Sequence, residues 1–310
     1  MTDELSNRAG TFSQGIYIAR NEKNEQVVLK RVDEKLKGER VNFLTEIKYL
    51  GYLNKHPHDN IVKLLGFTKT SVSCIETRSL YLVLEYADGG DLFDYMEHHN
   101  YETSVKYTQQ IVSAMAYAHS KGIAHRDIKL ENIFVRRNGQ IVVGDWGGAT
   151  HERRSYSHVG TDLYMSPQLV FIAYKYVTLQ NPNEWHRKQE ELTRRGSLTN
   201  YYDPQKADVW ALGVLIFHFF ISFLEFAPFS EWNDPLFLEH LSNLEKNQFD
   251  FTAIDVYDRL PKNNFGQKII NCLKGCWTFK EEKRFDMNDI NYVLFDVPKP
   301  VRQATKRKRS

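Results

Sequence analysis

The sequence predicts an α+β chain in two unequal parts: a small antiparallel sheet with one main helix, followed by a larger helical part. Three observations predict it. Short β-branched and aromatic runs crowd the first stretch of about ninety residues, as strands do. Apolar residues at helical spacing fill the next stretch of about two hundred. The pair Gly89–Gly90 sits near the change of pattern and marks a turn there. These observations assign residues 1–86 to the strand-rich part, 87–296 to the helical part and 297–310 to a basic, disordered tail.

Taken in order, "QGIYIARNEKNEQVVLKRV" (14–32) reads as two short strands around a polar turn at Asn21–Glu25. Residues 38–54 read as a helix whose face is Val41, Leu44, Ile47, Leu50 and Leu53. "IVKLLGF" and "LYLVLEYA" are further strands. "LFDYMEHH" and "TSVKYTQQIVSAMAYAHSKG" have helical spacing, and Gly122 suits the end of the second. The apolar run Val209–Leu224 is shorter than the roughly 20 residues a membrane span needs. It contains His218 and Ser222 and is bounded by Asp208 and Glu225, so it reads as a buried core helix. The polar stretch near 175–200 reads as an inserted surface segment, either a loop or a docking element.

Composition excludes several classes. Lys and Arg total 41 against 39 Asp and Glu, a net charge of +2, which gives no general case for nucleic-acid or membrane binding. The opening "MTDELSNRAG" has no apolar segment of the secretory kind. Cys74, Cys272 and Cys276 are sparse and odd in number, which suits a reducing, intracellular compartment. Cys272 and Cys276 lie four apart with no histidine cluster, so they read as buried thiols rather than a zinc site.

Two stretches carry chemistry: "HRDIKLEN" (125–132) and "DWG" (145–147). Phosphoryl transfer needs a carboxylate to position a nucleophile, oxygen ligands for a divalent cation, and cations on the phosphates. Asp127 supplies the first, Asn132 and Asp145 the second, Lys129 and Lys30 of "VVLK" the third, and Glu46 on the helix can hold Lys30. Each alone has an ordinary reading: Lys30 as a solvated strand residue, Asp145 as a turn residue before Gly147. The joint order makes chance improbable.

With those motifs the chain resembles the eukaryotic protein kinases of serine/threonine type from Gly10 to about Asp296. "GTDLYMSPQ" (160–168), "ADVWALGVL" (207–215) and "EEKRF" (281–285) resemble later family segments. The resemblance implies a bilobal fold with ATP, as co-substrate with Mg2+ or Mn2+, in the cleft. It implies Asp127 as catalytic base, Lys129 on the transferred phosphate, Asn132 and Asp145 on the metal, and Lys30 with Glu46 on the ATP phosphates. Glu85 and Ala87 fall at the hinge behind Leu84, and Gly10, Ser13, Val28, Asp91 and Phe134 also match nucleotide-contacting positions. "EYADGGDLFDYM" resembles calcium/calmodulin-dependent and AMP-activated kinases.

The departures are local. Arg8, Gly10 and Ser13 stand where the family's phosphate loop has three glycines, Val28 and Phe134 enlarge residues around adenine, and Gln168 replaces a glutamate that pairs with the arginine matching Arg284. Trp146 replaces the phenylalanine of the metal motif. Casein kinase II shares the serine, the valine and the tryptophan. None of these changes removes a proton acceptor or metal ligand, so the expectation is an active ATP-dependent protein kinase. Two alternatives stand beside it: a catalytically impaired scaffold with the same fold, and a kinase-fold enzyme acting on small molecules.

The resemblance also implies protein substrates. Asp91 and Glu131 match acids that read an arginine three residues before the target, so Arg-x-x-Ser/Thr is expected, and His218 stands where a further acid would read a second arginine. Ser157 matches an activating phosphosite, with Arg126 as its partner and Ser155 and Tyr156 as competitors. The compartment is expected to be cytoplasmic, with Lys306–Arg309 fitting either nuclear import or a solubilising tail.

Overall fold

A computed structural model of the chain describes residues 15–32, 37–70, 79–96, 100–177, 199–221, 246, 260 and 263–300. Gly10, Ser13, Cys74, Leu224, the basic run Lys306–Arg309 and most of the 175–200 stretch lie outside them.

β1 (Ile16–Arg20) and β2 (Gln26–Val32) form an antiparallel hairpin with Ile16 opposite Lys30. Asn21 closes its turn, accepting from the amides of Lys23 and Glu25 at 2.9 Å. Asn24 takes the left-handed conformation there, φ 64°. β3 (Leu64–Thr70) and β4 (Ser79–Glu85) complete a four-stranded sheet in the order β1-β2-β4-β3. "IVKLLGF" therefore enters the sheet only at Leu64, while Ile61 makes an isolated bridge to Val143. On β2, Val27 and Leu29 turn to a small cluster with Ala19 and Tyr81. The alternate residues Val28 and Lys30 are only partly buried, on the sheet's other face.

α1 (Lys37–Leu53) corrects the sequence reading of its face. Val41 and Leu44 are 61% and 56% exposed, whereas Phe43, Glu46, Tyr49, Leu50 and Leu53 are buried. A charged residue at the centre of the buried stripe hides it from a count of apolar positions.

The helical part follows α2 (Leu92–Tyr95), and residues 97–99 of "LFDYMEHH" lie outside the described residues. α3 (Tyr101–Ser120) starts at Asn100, whose side chain accepts from Thr103 N, and ends just before Gly122 at φ 74°. A short hairpin, β5 (Ile133–Val135) and β6 (Ile141–Val143), carries the motif residues on its flanks. α4 (Pro167–Val177) precedes α5 (Pro204–Phe220), capped by Asp203 and buried along nearly its whole length. α5 is thus the core helix expected, and no helix of the described residues is long and apolar enough to cross a membrane. α6 (Asn264–Cys276) packs against it, and α7 (Met287–Phe295) packs against α6 and α3. Cys272 and Cys276 are buried on α6, their sulfurs 3.9 Å apart and free.

Candidate active site

The sheet and the helical part meet at Lys30. Its Nζ donates to Glu46 Oε2 at 2.9 Å and to Asp145 Oδ1 at 2.7 Å, joining β2, α1 and the loop after β6. Burial works against the ammonium, but the two carboxylates override it and hold Lys30 above its ordinary value. Burial pushes Glu46 up, since its charge lies in the core. Burial also opposes ionisation of Asp145, yet the Lys30 ammonium overrides it and keeps Asp145 below the usual carboxylate range. The cation and its two anions form a charged knot with one carboxylate dry and the other 42% exposed.

Around the knot the residues expected on the nucleotide side fall as follows. Leu84 is buried, and Val28 and Ala87 are half-buried. Glu85 is committed to structure: both its carboxylate oxygens accept from Arg136 Nη2 at 2.9 Å, and Oε1 also accepts from Lys63 N. Gly89 touches the same region from the other side, since a Cβ there would lie 2.6 Å from the Val135 carbonyl. Phe134 fits because Gly144 faces it, where a Cβ would come within 2.6 Å of the ring. Asp91 bridges to Phe134 and caps α2, accepting from Asp94 N.

The residues of "HRDIKLEN" converge. Asp127 Oδ2 accepts from Asn132 Nδ2 at 3.0 Å, and Lys129 Nζ lies 3.4 Å from the same oxygen. Asn132 Nδ2 also donates to Asp127 O, which closes the loop on itself. His125 is fully buried and accepts from Asp127 N through Nδ1, so Nε2 is the nitrogen that donates to Gly144 O. That bond fixes the distance between the Asp127 loop and the Asp145 loop. Asp208 on α5 carries the loop's backbone: its carboxylate accepts from His125 N and Arg126 N, both at 2.7 Å, and contacts His119 Nε2. Two anchors at consecutive amides hold Arg126 at φ 74°, a conformation rare for its type.

Asp145 is itself left-handed, φ 51°. Trp146 beside it is fully buried, its ring centroid 4.6 Å from that of His125, and its indole N–H donates to Val143 O at 3.1 Å. No group of three His, Cys, Asp or Glu side chains that could hold a metal ion occurs among the described residues. Asn132 and Asp145 each carry a side-chain oxygen of the kind Mg2+ takes, its remaining ligands coming from phosphate and water.

Further along, Arg126 Nη1 donates to Ser157 Oγ at 2.8 Å, and Ser157 is exposed while Ser155 is buried. Gly160 at φ 122° lies against Arg126 O, where a Cβ would come to 2.7 Å. Glu131 is exposed, and His218 stacks edge-on to Tyr164, with centroids 6.2 Å apart. Gln168 meets Arg284 as the sequence suggested: Nη2 donates to Gln168 Oε1 at 2.9 Å. Three residues were missed. Thr161 bonds both Asp127 and Lys129, Asp208 anchors the loop, and Tyr202 pairs with Ser155. Thr161 and Asp208 lie inside segments that had been singled out, but no local pattern reports a contact made across the chain.

Comparison with known proteins follows the same lines. The family model described as "Protein kinase domain" matches residues 9–293. CBL-interacting serine/threonine-protein kinase 12 of Arabidopsis thaliana is 31% identical over 229 residues, covering 70% of this chain and 39% of that protein. The probable serine/threonine-protein kinase FMP48 of Saccharomyces cerevisiae is 30% identical over 257 residues, covering 79% of this chain and 64% of that protein. Aurora kinase of Dictyostelium discoideum is 29% identical over 224 residues, 70% of this chain and 50% of that protein. The chain spans from 39% to 48% of the Arabidopsis relatives numbered 12 and 20.

Proposed function

The chain belongs to the protein kinase domain family, and from that premise we propose that it transfers the γ-phosphoryl group of ATP to serine or threonine hydroxyls of proteins. The relatives whose names specify serine/threonine kinases support the acceptor class. One observation carries the claim of turnover: Lys30, Glu46, Asp127, Lys129, Asn132 and Asp145 are all present, and their contacts form two connected sets joined by His125. A scaffold that only kept the fold would not need Asp127 and Asn132 in register.

In this reading the acceptor oxygen attacks the γ-phosphorus, the bond to the ADP oxygen breaks, and Asp127 accepts the hydroxyl proton. Lys129, beside Asp127, meets charge on the transferred group, and Lys30 meets the α- and β-phosphates. A magnesium ion held through Asn132 and Asp145 neutralises phosphate charge when bound. The family resemblance assigns Ser13 and Gly10 to the phosphate side, and Val28, Ala87 and Phe134 to the adenine side. Asp91 and Glu131 favour Arg-x-x-Ser/Thr, and Ser157 is a regulatory phosphosite.

Purified protein with magnesium, labelled ATP and a generic basic protein tests the proposal. Label transfer is expected in wild type and lost in Asp145→Asn. Absence of transfer under all conditions, with ATP binding intact, favours the scaffold reading instead.

A further inference from the structure

Tyr202 lies outside every motif, just before α5, and is 0% exposed. Its backbone pairs with Ser155 in both directions: Ser155 N donates to Tyr202 O at 2.9 Å and Tyr202 N to Ser155 O at 3.0 Å. Its hydroxyl donates to Ser157 O at 3.2 Å. Arg126 reaches the same two serines, at 2.8 Å to Ser157 Oγ and 3.4 Å to Ser155 Oγ. The serine hydroxyls bond each other at 3.0 Å. Tyr202 and Arg126 therefore both hold the 155–157 stretch.

Both grips hang from one element. Six positions beyond Tyr202, Asp208 of α5 holds the amides of His125 and Arg126. Asp203, next to Tyr202, caps α5 through Gln205 N and Lys206 N. Displacing Tyr202 would thus shift the 155–157 stretch relative to the Asp127 loop, which stays with Asp208. Burial pushes the Tyr202 hydroxyl up in pKa, so it remains a neutral donor.

We propose that Tyr202 is a positioning residue that holds the 155–157 segment in its working place before any phosphate is added, so that the unphosphorylated chain already has most of its activity. The inference rests on the kinase reading above and concerns how that site is regulated. A phosphate on Ser157 then strengthens an existing Arg126 contact instead of creating one. Tyr202 acts through Arg126 and Ser157 and touches no reacting atom.

Tyr202→Phe removes the hydroxyl and keeps the ring. Phosphatase-treated wild type is expected to keep more than about half of the activity of the Ser157-phosphorylated form, and treated Tyr202→Phe to lose roughly tenfold in kcat/KM for peptide. Phosphorylation, or Ser157→Glu, should recover most of that loss in the variant and add little to wild type; a merely structural role would not produce this difference in response. Amide hydrogen exchange of residues 153–160 is expected to quicken in the variant. An inert dephosphorylated wild type, or a variant equal to wild type in rate and exchange, overturns the inference. If wild type transfers no phosphate at all, the kinase reading fails, while the exchange comparison still decides whether Tyr202 holds the segment. Should Tyr202→Phe not fold, Ser155→Ala frees Arg126 and Ser157 from the second serine and leaves the Tyr202 bond to Ser157 O in place, so a loss well below tenfold is expected in the dephosphorylated variant, and a tenfold loss overturns the assignment to Tyr202.

Discussion

The Thr161 hydroxyl donates to Asp127 Oδ1 at 2.8 Å while accepting from Lys129 Nζ at 2.9 Å. One hydroxyl thus bridges the acid and the cation to which the proposed reaction assigns proton acceptance and charge stabilisation. It also brings the 160–164 segment, which receives the acceptor in this reading, against the catalytic loop. Removing either charged partner leaves the other with a broken constellation.

Asp127→Asn and Lys30→Met should each lower kcat by roughly two to four orders of magnitude, since each removes positioning or charge stabilisation. Steady-state assays with saturating ATP check this. A Lys30→Met protein that turns over like wild type would show the lysine to be wrongly assigned.

Ser157→Ala should reduce activity only about two- to fivefold, because one neutral hydrogen bond to Arg126 and the added gain from phosphate are lost while the Tyr202 contacts remain. Comparing the variant with phosphorylated wild type, its state verified by intact mass, measures the effect.

A peptide array should show selection for arginine three residues before the target, weakened in Glu131→Gln by about tenfold in kcat/KM at most, since Glu131 is exposed. Selection for acids after the target would defeat this expectation and favour casein-kinase-like substrates.

Stability should depend on pH through Glu281. Burial pushes its carboxyl up from 4.5 to about 7, against the pull of Arg284 and the Asp203 amide. A carboxyl raised on folding contributes stability that is full below about pH 4.5 and lost as pH rises through about 7. Thermal melts of wild type should therefore lose about 2 kcal/mol between those limits on this account, and Glu281→Gln should flatten that part of the profile. Identical profiles would remove Glu281 as the cause.

A reporter carrying residues 297–310 should reach the nucleus if Lys306–Arg309 acts as an import signal. Wholly cytoplasmic signal leaves that run as a solubilising tail.

Much of this was legible in the sequence because the motifs are contiguous: "HRDIKLEN" folds into one closed loop, so its spacing and its geometry are the same fact. The Gln168–Arg284 bond was also foreseeable, because a lost charge pair leaves a defined hydrogen-bond alternative. The face of α1 was not. Val41 and Leu44 satisfy the helical period but point to solvent, because the stripe is ordered around the Lys30–Glu46 pair. Tyr202 was illegible for another reason: its partners Ser155, Ser157 and Arg126 are brought to it only by the path of the whole helical part.

Trp146 carries one more consequence. Any rearrangement that swung Asp145 out of the cleft would drag this indole from full burial, breaking its bond to Val143 O and leaving a void beside His125. Exposing a large aromatic and losing a buried hydrogen bond together oppose that motion by about 4 kcal/mol. At equilibrium the swung-out conformer would be populated near one molecule in a thousand. Compounds that select such a conformer would lose about three orders of magnitude of apparent affinity to this population penalty, whereas those that accept the present arrangement would lose none.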